Sequence, residues 1–295
     1  LLDCLESLTQ TTKGLSTEVI VVDNASSDGS PDAVESRFPN VKLIRNGQNL
    51  GFAKGNNIGI SQSKGRYVCL INSDVILLGD CLKRLVAFMD SNPSVGMSGP
   101  RILNGDRTVQ LVAGVLPNPL SELGQALFLH TIKPLRRIFP RPEFSAPDLA
   151  GVRSVPFLYG CFWMVSRTAL DTVGLLDERF FMYGEDVDWC KRFNDAGFKV
   201  VYFPEVEAVH FGCASSMNAR NRYYVQMKKS RLLYFQKHYG RAGRFVCYLS
   251  IFSGLNSPAD RLDWTVNNNA RKPQRSFFNA AAIHCVLEMV SFAPR

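Results

Sequence analysis

An α/β fold with a mostly parallel, doubly wound sheet is predicted by three features of this 295-residue sequence. From residue 18 onward, short β-branched runs alternate with helical stretches, the pattern of repeated strand–helix–strand units. Residues 67–71 are continuously apolar, as in a strand buried on both faces, and they end on Asn72-Ser73-Asp74. Finally, 46% hydrophobic and 20% charged residues suffice for a large core, which excludes disorder, collagen and a disulfide-stapled miniprotein.

Taken in order, Leu1, Leu2, Leu5 and Leu8 recur at helical spacing, so the chain opens inside an amphipathic helix and reads as a fragment whose start lies upstream. Residues 19–22 and 41–44 read as strands with a helical turn at 31–37 between them, and 52–61 follows as a helix. After the strand at 67–71, Asp80 is expected to cap a helix that buries Leu82, Leu85, Val86 and Met89 and stops at Asn92-Pro93. A Pro-punctuated stretch, 116–147, carries the basic amphipathic segment 120–137; it reads as a surface excursion with one helix or as a flap facing a membrane or acceptor. Strands are expected at 155–158, 162–165, 199–203 and 208–211, with a helix from near Gly184. One domain over 1–240 and a basic, partly apolar tail over 241–295 complete the organisation. Because a strand should feed the opening helix, the slot beside 19–22 is expected to be vacant, exposing unpaired backbone and weakening the fold.

The net charge of +8 favours an anionic partner without choosing among nucleic acid, phosphorylated substrate and acidic membrane. Eight scattered cysteines with no C-x-x-C pair fit a reducing, cytoplasmic compartment. No signal peptide opens the chain, and the longest apolar runs, 245–255 and 277–292, are too short or too interrupted to span a membrane.

Five constellations stand where chemistry is expected in such a sheet, at or near the carboxyl ends of strands. Asp23, closing the first strand in Asp-Asn-Ala-Ser-Ser-Asp-Gly-Ser, suits a base or ribose contact, whereas Asp28 and Ser30 suit a self-satisfied turn and cap. Asn49 to Gly59 combines three glycines, a helix start and Lys54, which together can hold a phosphate or simply begin a helix. Asn72 and Asp74 offer oxygen ligands for a hard divalent cation, or a turn. Glu185, Asp186 and Asp188 lie in the first turn of a helix, where Asp188 and Arg192 form an i,i+4 pair. Asp186 lies about 200° around that helix from Asp188, so one carboxylate is structural and the other is free to act as a base. His210, at the end of a strand, is by itself an ordinary packed or solvent-facing histidine.

In combination and in this order, the motifs Val-Val-Asp-Asn-x-Ser-x-Asp-Gly-Ser, Asn-x-Gly-Phe-Ala-x-Gly-Asn-Asn-x-Gly, Asn-Ser-Asp, Gly-Glu-Asp-Val-Asp-x-x-x-Arg and His-x-Gly-x-x-Ser resemble the family 2 glycosyltransferases, in particular the rhamnosyltransferase-like branch of bacterial polysaccharide assembly. The likeness covers residues 1–240. It implies a GT-A fold and metal-dependent, inverting transfer of a hexose, rhamnose favoured, from a nucleotide-diphosphate sugar to a glycan or lipid-linked acceptor. By position, Asp23 is expected at the nucleoside, Asn49 and Lys54 on the donor side, and Asp74 with His210 on Mg²⁺ or Mn²⁺. Asp186 is expected as general base and Glu185 as an orienting group. Two departures stand out. Asn72 replaces the first acid of the family's Asp-x-Asp, and the family's opening strand with its Tyr-Asn pair is missing. Rival readings are transfer of galactose, glucose or N-acetylglucosamine, and a catalytically silent nucleotide-sugar-binding scaffold. No nucleic acid is implied. Peripheral contact with the inner face of the membrane is expected from Lys133, Arg136 and Arg137.

Overall fold

The computed structural model describes residues 1–129, 132–139, 144, 149–212, 220–254 and 287–292. In the first half, α1 (Leu2–Thr11) and β1 (Thr17–Asp23) lead through α2 (Ser30–Arg37) and β2 (Lys42–Arg45) to α3 (Phe52–Gln62). Next come β3 (Tyr67–Asn72), β4 (Val75–Leu77), α4 (Cys81–Ser91) and β5 (Val95–Leu103). Short elements follow: β6 (Val109–Gln110), β7 (Ala113–Gly114), α5 (Pro119–Ala126), a 3-10 turn (Lys133–Arg137), β8 (Arg153–Ser154) and β9 (Phe157–Leu158). The last group is β10 (Phe162–Ser166), α6 (Arg167–Val173), α7 (Glu185–Asp195), β11 (Lys199–His210), α8 (Arg220–Gly254) and β12 (Leu287–Phe292).

These strands build one mixed sheet in the order β2-β1-β12-β3-β10-β5-β11-β4, with β6 on β5 and β8 on β11. The pairings make β1, β2, β3, β5 and β11 run one way, while β12, β10 and β4 run against them. Both faces of the central strands are covered, so β3 reads Tyr-Val-Cys-Leu-Ile without alternation, and all five of these residues are buried. α1 and α4 turn Leu5, Leu8, Leu82, Leu85 and Met89 into the same core.

The vacant slot expected beside residues 19–22 is filled. β12 pairs antiparallel with β1 from Thr17↔Phe292 to Val22↔Leu287, and with β3 from Leu287↔Asn72 to Phe292↔Tyr67. All six of its residues are in register with both neighbours. A segment of the tail thus closes the ladder of two strands whose edges would otherwise be open, which removes the physical reason for the weak fold expected from the sequence.

Three local readings also change. Strands expected at 199–203 and 208–211 are one, β11, because the sheet absorbs Pro204 in a register shift between Phe203 and Glu207. The strand expected at 155–158 is shorter, Phe157–Leu158, and joins β7 in a separate two-stranded sheet. Asp80 stands at the N-cap of α4, but its side chain makes no capping hydrogen bond. α8 continues through residue 240, where Gly240 (φ 65°, ψ −160°) breaks the helical path.

Candidate active site

The carboxyl edge of the sheet brings the distant motifs into one neighbourhood. Val22, Leu287 and Asn72 lie in line across β1, β12 and β3, so the residues just beyond them, Asp23 and Ser73-Asp74, project from the same edge. Two strand spacings put those backbone positions roughly 10 Å apart.

At the β1 end, Asp23 is buried and its Oδ1 accepts from the Ser26 amide at 2.9 Å, which fixes the turn. Asn24, unnoticed in the sequence beside Asp23, ties this turn to the glycine segment. Its Nδ2 donates to the Gly51 carbonyl at 3.1 Å, and its Oδ1 accepts from Asn46 Nδ2 at 2.9 Å. Gly51 has φ 83°, and a Cβ there would overlap the Phe181 carbonyl oxygen, so glycine is required for a close approach. Asn49 is exposed and its Oδ1 accepts from the Gly51 amide at 2.9 Å. Lys54 is half-exposed, with Nζ 4.0 Å from Glu178 Oε2. Asp28 accepts from the Ser30 amide at 3.0 Å, as a self-satisfied turn should. Asn57, another member of the glycine motif, clamps Leu176 through both its amide nitrogen and its oxygen.

Beyond β3, Asp74 Oδ1 lies 3.3 Å from His210 Nε2. The pairing of β11 with β4 sets this contact, because His210 is opposite Val75 and the Phe211 amide donates to the Asp74 carbonyl. On the other side of the ring, His210 Nδ1 is 3.1 Å from Gln110 Oε1, a partner that no sequence pattern announced. Nδ1–H donates to Gln110, which turns Nε2 toward the Asp74 carboxylate. Burial pushes the Asp74 carboxyl up, but the His210 hydrogen bond and charge outweigh it and hold the carboxyl below its ordinary value. One carboxylate oxygen and one imidazole nitrogen, converging at a strand end, are donors of the kind a divalent cation takes. Among the described residues no group of three His, Cys, Asp or Glu side chains could hold a metal unaided.

Helix α7 delivers the acids. Tyr183 (φ 65°) and Gly184 (φ 83°) turn the chain into its first residue, Glu185, and the buried Trp189 anchors it by donating to the Gly174 carbonyl at 2.9 Å. Trp189 also meets Trp163 edge to face, with ring centres 5.6 Å apart. Asp186 is pushed up to about 6 by burial, against hydrogen bonds from backbone amides, including that of Val187 at 2.8 Å. Glu185 is buried, its Oε2 has no hydrogen-bond partner among the described residues, and burial beside Asp186 raises it well above the usual carboxylate range. Asp188 is wholly buried yet paired with two cations and an imidazole: Arg192 Nε at 2.9 Å, Lys237 Nζ at 2.6 Å and His238 Nε2 at 2.7 Å. Burial raises its carboxyl, and those partners bring it below its ordinary value. The two acids thus divide as the helical geometry requires, Asp188 into the scaffold and Asp186 into an environment suited to carrying a proton.

Cys161 connects the two clusters. Its carbonyl accepts from the Asn72 amide at 2.9 Å. Burial pushes its thiol up to about 12, and the Asp74 and Asp186 carboxylates add to the shift. Asp74, Asp186 and Asn72 therefore all lie near Cys161, just before β10, whereas Lys54 lies near Glu178 on the α3 side.

The fold is that of the GT-A glycosyltransferases, as the solved structure described below shows. Residues 1–174 match Glycosyl transferase family 2, and the protein belongs to that family. It is 34% identical over 205 residues to an N-acetylglucosaminyl-diphospho-decaprenol L-rhamnosyltransferase of Mycobacterium tuberculosis, covering 65% of this chain and 66% of that protein, so it spans slightly less than two thirds of that relative. It is 29% identical to the dTDP-rhamnosyl transferase RfbF of Shigella flexneri, over 65% of this chain and 59% of that protein. A hexosyltransferase of Haloferax volcanii, Agl10, is 25% identical over 84% of this chain and 71% of its own length. The solved structure of GalNAc-T7 with UDP, GalNAc and Mn2+ superposes with a TM-score of 0.51 at 14% identity, over 79% of this chain and 47% of that one, a likeness of fold.

Proposed function

We propose that the protein is an inverting glycosyltransferase that moves a hexose, rhamnose favoured, from a nucleotide-diphosphate donor to a lipid-linked saccharide or glycan acceptor on the cytoplasmic side. The observation that carries this reading is the Asp186 carboxyl, pushed up to about 6, and the His210-paired Asp74 carboxylate, both near enough to Cys161 to raise its thiol. The rhamnosyl preference rests on the two rhamnosyltransferase relatives.

In this reading the acceptor hydroxyl attacks the anomeric carbon while the bond to the nucleoside diphosphate breaks on the opposite face. Asp186 accepts the hydroxyl proton as the new bond forms, since an alcohol is too weak an acid to ionise beforehand. Its raised pKa makes it a stronger base than an exposed aspartate while leaving it mostly ionised at neutral pH. Glu185, whose carboxyl is raised by burial and by the neighbouring Asp186, orients the acceptor or the base. Asp74 and His210 would hold a divalent cation, Mg²⁺ or Mn²⁺, which when bound would supply positive charge to offset that of the departing diphosphate. Asn72 in place of an acid lowers the negative charge of that site by one. Asp23 supports the nucleoside at the β1 turn, and Asn49 with Lys54 borders the donor, Lys54 exchanging Glu178 for phosphate. Buried cysteines, none of them in a disulfide among the described residues, are compatible with a reducing compartment.

The test is a panel of nucleotide sugars, each assayed with Mn²⁺ and a prenyl-diphosphate-linked saccharide for release of nucleoside diphosphate and a lengthened acceptor. A dTDP-sugar is expected to be consumed fastest. Donor binding without acceptor-dependent release for any sugar would leave a binding scaffold in its place.

A further inference from the structure

Two neighbouring helices turn apolar side chains to solvent on a surface that the chemistry above does not use. In α8 beyond Gly240, Phe245, Tyr248, Leu249 and Phe252 are exposed, Phe245 by 61% and Phe252 by 60%. Their i, i+3, i+4, i+7 spacing makes one stripe, and Cys247 on the opposite side of the helix is buried. α5 repeats the arrangement: Leu120, Leu123 and Leu127 are exposed, while Ser121, Glu122 and Gly124 face inward.

The helices are joined along this stretch. Glu122 Oε1 pairs with Arg231 Nε at 3.0 Å, Ser250 Oγ donates to the Glu122 carbonyl at 3.5 Å, and Tyr239 donates to the Pro117 carbonyl at 3.0 Å. Scattered exposed apolar residues are ordinary, but seven in two periodic stripes on packed helices mark a binding surface. The charge around them has one sign. No Asp or Glu stands between Glu207 and Asp260, and Arg241 and Arg244 are exposed just before the α8 stripe. Lys133 and Arg137 are exposed beyond α5.

We propose that this surface docks the protein on an anionic lipid bilayer, with the aromatic and leucine stripes at the acyl boundary and Arg241 and Arg244 against anionic headgroups. Apolar side chains on one face with arginines beside them are the pattern of an interfacial helix, and each basic residue near an anionic surface adds to the attraction. No helix among the described residues is long and apolar enough to cross the membrane, so attachment is in the plane of the interface. The basic segment 120–137 supplies only part of this surface, and the larger share is on α8, in the region that the sequence reading left as an unassigned tail. The first half of α8 abuts the loop that leads into α7, where Ser230 Oγ donates to the Met182 carbonyl at 2.9 Å. Docking would therefore hold the site at a fixed orientation to the bilayer.

Flotation of the full chain with phosphatidylcholine vesicles, with and without phosphatidylglycerol, tests the docking without any donor or acceptor present, so its outcome is separate from that of the glycosyl-transfer reading. At low salt the protein is expected to partition at least tenfold more strongly onto the anionic vesicles. Phe245→Ser with Leu249→Ser is expected to lower that partition at least tenfold, and Arg241→Gln with Arg244→Gln to abolish the preference for anionic lipid. Circular dichroism melts like that of the wild type confirm that the variants are folded. Wild-type protein that stays off anionic vesicles overturns the proposal. So do folded variants that bind like wild type, or a soluble dimer by sedimentation velocity that the Phe245→Ser/Leu249→Ser variant dissociates.

Discussion

Asp74 and His210 face each other across the last pairing of β4 with β11, Oδ1 to Nε2 at 3.3 Å, with Gln110 holding the far side of the imidazole. Neither residue is distinctive alone. Their convergence brings a carboxylate oxygen and an imidazole nitrogen together at the strand end, fixed by backbone pairing rather than by a flexible loop.

Asp74→Ala and His210→Ala are each expected to weaken Mn²⁺-dependent binding of a nucleoside diphosphate at least tenfold, with much less effect on binding measured in EDTA. Gln110→Ala should weaken it less, by freeing the ring to rotate. Isothermal titration with and without Mn²⁺ reads all three, and equal losses in both conditions would remove the cation from the account.

The pH dependence follows from the raised Asp186 carboxyl. Its folded value, about 6, is above the ordinary 3.8, so the folded protein binds a proton that the unfolded chain has released. This group's contribution to stability is present below 3.8 and declines as pH rises to about 6, while transfer, which needs the ionised form, climbs around pH 6. A transfer rate that is flat from pH 5 to pH 7 would contradict the assignment.

Asp188 carries the opposite sign. Its carboxyl is held below its ordinary value, so the stability it contributes is present above that value and lost as pH falls through the lower folded one. Asp188→Ala leaves Arg192, Lys237 and His238 around a hole, and a loss of about 3–5 kcal/mol is expected in urea unfolding. A change under about 1 kcal/mol would mean that the cluster is solvated and replaceable.

Gly51→Ala should destabilise by about 2–4 kcal/mol, because the new Cβ meets the Phe181 carbonyl at a backbone conformation alanine resists. Gly47→Ala, in open space, is the control.

The sheet was legible from its periodicity because buried strands such as β3 and amphipathic helices such as α4 write their environment into consecutive residues. The separation of Asp186 from Asp188 was legible too, since helical rotation alone divides them. What stayed hidden depends on contacts far apart in the chain. Gln110 meets His210 through a two-residue strand, and Asn24 reaches Gly51 across a loop. The tail strand β12 pairs antiparallel in a slot where parallel order was expected, and no local pattern distinguishes a strand that completes a sheet from an apolar tail. Glu178, within 4.0 Å of Lys54, belongs to none of the five motifs, so this contact too was hidden.

The most direct measurement is single-turnover transfer by Asp186→Asn at pH 7.5, with donor and acceptor saturating and the melting temperature recorded alongside. The account predicts transfer at least about a hundredfold slower, donor affinity within about threefold of wild type, and a melting temperature equal or higher, because a buried charge has been removed. Turnover close to wild type with donor binding intact would contradict the assignment of Asp186 as the base.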